Sequence, residues 1–88
     1  MMKSRITISN KLGLHARASA KLTKLAGGFN CEVHLSRNGR RVNAKSIMGV
    51  MMLAAEFGAA LNVRADGPDA KEAVDALSTL ISNRFGEK

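Results

Sequence analysis

The chain has 88 residues, room for one domain with a small two-layer core. With 45% hydrophobic and 24% charged residues it has the make-up of an ordinary globular protein, and no apolar run approaches the roughly 20 residues that crossing a bilayer takes. A single cysteine, Cys31, excludes an internal disulfide and a cysteine-based metal centre, and the net charge of +7 fits a negatively charged partner.

That charge is unevenly placed. Lys3, Arg5, Lys11, Arg17, Lys21, Lys24, Arg37, Arg40, Arg41 and Lys45 share their stretch with one acid, Glu32, and the other acids begin at Glu56. Any one of these cations is equally well read as simply solvated. The opening Met1-Met2-Lys3-Ser4-Arg5 leads straight into a strand pattern, with no long apolar region or small-residue cleavage site. The expected location is the cytoplasm, with no membrane insertion.

Residues 5–9 alternate, with Ile6 and Ile8 on one face, and predict a half-buried strand. Residues 10–13 make a turn. From Ala16 to about Ala26, the positions Ala18, Leu22, Leu25 and Ala26 fall at helical spacing, and Gly27-Gly28 ends that helix. Cys31, Val33 and Leu35 alternate with Glu32, His34 and Ser36 in a second strand. Asn38-Gly39 is a two-residue hairpin signal, and the return strand covers about 40–44 with Val42 and Ala44 inward.

Ser46 is placed as the N-cap of a short helix whose inner face is Ile47, Val50, Met51 and Ala54. Gly58 marks a turn, and Leu61, Val63 and Ala65 form the last strand. Pro68 suits the first position of a final helix, which buries Ala70, Ala73, Val74, Leu77, Leu80 and Ile81. The order is βαββαβα. Four amphipathic strands each need one face covered, so the expected fold is α+β: a four-stranded antiparallel sheet with three helices on one face, an open-faced sandwich. One domain over residues 1–88 is expected.

The residues with chemistry are Gly13-Leu14-His15-Ala16-Arg17, where strand pattern gives way to helix pattern. A histidine just before a helix can attack a phosphoryl donor through a ring nitrogen. The free N–H groups of Ala16, Arg17 and Ala18 in the first turn can hold the oxyanions, and Arg17 can add a charge-assisted contact. Alone, such a histidine is a capping or surface residue and Arg17 a solvated one; glycine turn, histidine, arginine and apolar helix together shift the balance. No second nearby histidine or acidic pair supports a metal site or a catalytic triad, and no cofactor is expected.

Gly13-Leu14-His15-Ala16-Arg17-Ala18 resembles the active-site motif of the HPr family, the histidine-containing phosphocarriers of the phosphoenolpyruvate-dependent sugar phosphotransferase system. Asn43-Ala44-Lys45-Ser46-Ile47-Met48-Gly49-Val50-Met51 is similar to the family's second signature, around its regulatory serine. Chain length and element order match as well. The resemblance implies that His15 takes a phosphoryl group on Nδ1 from phosphorylated enzyme I and passes it to enzyme IIA domains, with Arg17 contacting that group. It implies Ser46 as the site of an HPr kinase/phosphorylase where one exists. It also implies a docking surface of Ala16, Ala20, Lys24 and Lys45 with Ile47, Met48 and Met51. Ala18 departs from the family's common proline but is helix-compatible, and Leu12 stands where a polar residue is frequent.

Each of these residues also has a plainer reading. Ser46 as an N-cap is worth about 1 kcal/mol, and that suffices to explain a serine there. The two roles agree, because a phosphate at a helix N-terminus is electrostatically favoured. Methionines most often fill core gaps; Met48, off the inner face, is the candidate for an exposed, adaptable contact. His34 lies on a polar strand face with no role, and Cys31 reads as a small buried hydrophobe. Two other functions compete with this one. A paralogue in the nitrogen-related phosphotransferase branch would share the His15 motif, while Ser46 and its surroundings favour the sugar branch. A nucleic-acid-binding module is permitted by charge but lacks a motif and, with three phenylalanines and no tyrosine or tryptophan, stacking platforms. No nucleic-acid partner is expected, and a shuttle that meets its partners through one face is expected to be a monomer.

Overall fold

The computed structural model describes residues 1–87. The elements run β1 (Met2–Thr7), α1 (Ala16–Ala26), β2 (Glu32–Arg37), β3 (Arg40–Asn43), α2 (Ile47–Met52), β4 (Ala60–Asp66) and α3 (Ala70–Ser82), closed by a 3-10 turn at Arg84–Gly86. The four strands form one antiparallel sheet in the order β1-β4-β2-β3, with the three helices on one face.

Pairing and alternation agree. On β4, Leu61, Val63 and Ala65 are buried while Asn62 and Asp66 are exposed, and on β2 Val33 and Leu35 are buried opposite Ala65 and Val63. Slipping either strand by one residue would turn these side chains outward. Beneath them, α3 lays down Ala70, Ala73, Val74, Leu77 and Ile81, and α1 lays down Ala18, Leu22 and Ala26. The other face of the sheet is open, so half of each strand is polar.

The β2–β3 turn has both central residues left-handed, Asn38 at φ 52° and Gly39 at φ 80°, as a two-residue hairpin requires. It also serves α2. Arg37 Nη1 donates to the carbonyls of Leu53 and Ala54 at 3.2 Å, and Arg40 Nη1 donates to Met52 O at 3.0 Å. Two guanidinium groups thus satisfy carbonyls at a helix C-terminus that has no cationic residue of its own.

Several boundaries and faces differ from expectation. The first strand begins earlier and stops before Ile8, which is buried and pairs with the turn at Gly58 and Ala59 instead. Pro68 precedes the N-cap, Asp69, rather than opening the helix; the Asp69 carboxylate accepts from Asn30 N–H at 2.7 Å. That bond, before all else, holds the carboxyl below the usual carboxylate range. Of the face assigned to α2, only Val50 is buried, and Ile47 and Met51 remain 39% and 40% exposed. A helix of barely two turns lying on α1 has room for one inward side chain. Leu25 and Leu80 are partly buried at the core edge.

Candidate functional site

The loop ahead of α1 is fixed before the helix begins. Leu14 is buried, and its N–H donates to Ala55 O at 2.9 Å. Asn10, 1% exposed, donates Nδ2 to Gly13 O at 2.8 Å. Ser19 Oγ, one turn into the helix, reaches back to Leu14 O at 3.1 Å. His15 therefore leaves a pinned backbone as the N-cap of α1, extended at φ −75° and ψ 179°, and its own side chain caps nothing.

The amide N–H groups of Ala16, Arg17 and Ala18 have no hydrogen-bond partner among the described residues; the first one engaged is Ser19 N–H, on His15 O. The His15 side chain is 27% exposed, so the ring is reachable. It borders a cleft of about 950 Å³ between the 9–12 loop, the first turn of α1 and the C-terminal residues Arg84 and Glu87. Arg17, exposed and without an ion-pair partner among the described residues, lines the same cleft. Helix-end amides, a guanidinium and a reachable imidazole together can hold and exchange a small oxyanion.

The sequence reading missed the chain's end as part of this site. Asn83 leads into two successive left-handed residues, Arg84 at φ 56° and Phe85 at φ 55°, which turn the chain back. Phe85 is 1% exposed, and Lys21 Nζ donates to its carbonyl at 2.6 Å. Glu87 thereby reaches the cleft: Oε1 accepts from Asn10 Nδ2 at 3.0 Å and Oε2 lies 2.5 Å from His15 Nε2. Asn10 first, and then His15, hold the Glu87 carboxyl below its ordinary range. A lone phenylalanine in a charged tail was the signal that could have flagged this anchor.

The remaining candidates fall on one side of the molecule. Ala16, Ala20 and Lys24 form an exposed stripe on α1, which packs beside α2 with its exposed Ile47, Met48 and Met51. Met48, at 67%, is among the most exposed apolar residues, with Leu12, Met52 and Phe57. Lys45 is exposed and donates Nζ to Phe29 O at 2.8 Å. Ser46 is the N-cap of α2, its Oγ accepting from Gly49 N–H at 3.2 Å. His34 lies within β2 on the open sheet face, beside Arg41 and opposite Asn43 of β3. Cys31 is buried, and burial, then the Asp69 carboxylate, pushes its thiol up, so it stays protonated. No helix among the described residues is long and apolar enough to cross a membrane.

Known proteins share both sequence and fold with this chain. A family model described as "PTS HPr component phosphorylation site" matches residues 2–83. The phosphocarrier protein HPr of Cupriavidus necator is 66% identical over 87 residues, 99% of this chain and 98% of the relative. A crystal structure of HPr-C-His from Thermoanaerobacter tengcongensis superposes with a TM-score of 0.97 at 41% identity, covering 100% of this chain and 99% of that one. An HPr dimer from the same organism gives 0.80 at 41% identity, covering 99% of this chain and all (100%) of the other.

Proposed function

The chain belongs to the HPr family, the phosphocarriers of the phosphotransferase system, and from that premise we propose that His15 is its phosphoryl-carrying residue. Nδ1 accepts the group from phosphorylated enzyme I and delivers it to enzyme IIA domains of the sugar branch, in the cytoplasm, as a monomer formed by one domain over residues 1–88. The observation that supports this most is the junction at His15: a reachable imidazole at a helix start whose first three amides have no partner among the described residues.

Uptake breaks the donor's bond to phosphorus and forms a P–N bond to Nδ1, the electron pair of the broken bond leaving with the donor atom. Negative charge stays on the phosphoryl oxygens throughout. The Ala16, Arg17 and Ala18 amides and the Arg17 guanidinium supply fixed positive charge for it, so catalysis is positioning and electrostatics. Incubation with enzyme I and phosphoenolpyruvate is expected to leave an acid-labile phosphoryl group on the protein. A protein that stays unlabelled would overturn the assignment.

Ala16, Ala20, Lys24, Lys45, Ile47, Met48 and Met51 form the docking surface. Exposed flexible methionine suits a face that must fit successive partners, and the cations steer it toward acidic surfaces. Ser46, within that surface, is the regulatory site for an HPr kinase/phosphorylase. Aspartate caps helices as well as serine does, so Ser46→Asp keeps the fold while adding a charge to the interface. It is expected to weaken binding to enzyme I roughly tenfold or more, since misplaced charge at an interface is costly. Equal dissociation constants for the two proteins, by titration calorimetry, would sink the regulatory role.

A further inference from the structure

We propose that Glu87 is a positioning residue that assigns the two ring nitrogens of His15, keeping the proton on Nε2 and the lone pair on Nδ1. The inference rests on the reading of His15 as the carrier and says what selects its reacting atom.

The contact is one-directional. An ionised carboxylate only accepts hydrogen bonds. Oε1 of Glu87 already accepts from Asn10 Nδ2, and Oε2 faces His15 Nε2. Nε2 must therefore carry the hydrogen, which leaves the neutral ring's lone pair on Nδ1, a nitrogen with no hydrogen-bond partner among the described residues. A carboxylate that orients an imidazole and fixes its tautomer in this way is a recurrent device in catalytic and metal-binding histidines.

The carboxylate is also built into place. Two consecutive non-glycine residues in the left-handed region are unfavourable by themselves. Here they are offset by the burial of Phe85, by Lys21 Nζ on Phe85 O and by the turn bonds Gly86 N–H to Asn83 O and Glu87 N–H to Arg84 O. The polar anchor, Asn10, is the residue whose other bond fixes the Gly13 carbonyl, so one buried amide ties Glu87 to the loop that carries His15.

The assignment removes a proton transfer from the reaction. Nδ1 attacks phosphorus with its lone pair while the ring keeps its hydrogen on Nε2, so no base is needed. The product is a phosphorylated imidazolium whose positive charge faces the Glu87 carboxylate. On delivery the P–N bond breaks, its electron pair returns to Nδ1, and the ring regains its starting tautomer.

Phosphoramidate, a small phosphoryl donor, reads this selection without a protein partner. In wild type, ³¹P NMR is expected to place the phosphoryl group on Nδ1 alone. In Glu87→Ala, which keeps the Phe85 anchor, exclusive attachment is expected to be lost, with Nε2-phosphohistidine appearing beside the Nδ1 form. The ¹⁵N shifts of the unphosphorylated ring are expected to move from the Nε2–H tautomer toward the exchange average. Attachment on Nδ1 alone in both proteins, with unchanged ring shifts, would overturn the proposal. Failure of the wild type to be labelled by enzyme I would instead strike the carrier reading, and it leaves this chemical selectivity standing.

Discussion

His15→Ala is expected to take up no acid-labile phosphoryl group from enzyme I and phosphoenolpyruvate, a complete loss measured by radiolabel or intact mass. The chain's one other imidazole, His34, sits on the open face of the sheet, where β2 pairs with Asn43 of β3 and Arg64 of β4. It is a residue within a strand paired on both sides, not an N-cap. The substitution removes a side chain at the rim of the cleft and leaves the buried anchors Leu14, Ala18 and Leu22 in place, so the fold is expected to persist. Label on His34, or label at the wild-type level, would show that the carrier lies elsewhere. In the same assay Arg17→Ala keeps the acceptor but removes a charged donor, and transfer is expected to slow by roughly 10²–10³, the usual effect of deleting one oxyanion contact. Arg17→Lys should fall between, because lysine keeps the charge without the planar fork.

Gly13→Ala is expected to be strongly destabilising for a change of one methyl group. Gly13 sits at φ +65°, and an added Cβ would lie 2.4 Å from Ala55 O and 2.9 Å from Glu56 Cα. Both obstacles are backbone, and Ala55 O is already the acceptor for Leu14 N–H, so neither strand of chain can yield without breaking that bond. Left-handed alanine costs about 1 kcal/mol or more, and forced backbone movement about 1–3 kcal/mol. A total of about 2–4 kcal/mol lowers the melting temperature by roughly 10–30 °C in a domain of this size. The vacated hydrogen bond also frees the loop that carries His15, so phosphotransfer should fall in protein that is still folded. A melting temperature within two or three degrees of wild type, by calorimetry, would disprove the close approach.

Much of the architecture was legible because the local signals are strong and agree. The alternation of β2 and β4, the helical spacing in α1 and α3, the Asn38-Gly39 turn and the Ser46 cap each follow from residue type and period alone. The order of strands did not follow from them. A one-faced pattern says which side of a strand is buried and nothing about which strand lies beside it, so the place of β4 between β1 and β2 emerges only from packing. The faces of α2 were misread for a related reason. Ile47 and Met51 keep helical spacing with Val50, yet so short a helix offers the core a single position. At the site, His15 and Arg17 were visible through a local motif, whereas Glu87 meets His15 across 72 positions of sequence. Its approach depends on two left-handed residues, Arg84 and Phe85, neither of which is a type that announces that conformation.

The fold-back of residues 84–87 decides where this protein tolerates an appendage. Glu87, the last described residue, lines the His15 cleft, so an appendage carried close behind it is expected to obstruct that cleft. A fusion ahead of Met2 departs from the far end of β1, on the order of 20 Å of extended strand away from Ser9 at the cleft wall. Affinity handles, fluorophores and surface tethers therefore belong at the amino end, and the same label moved to the carboxyl end is expected to crowd the His15 cleft.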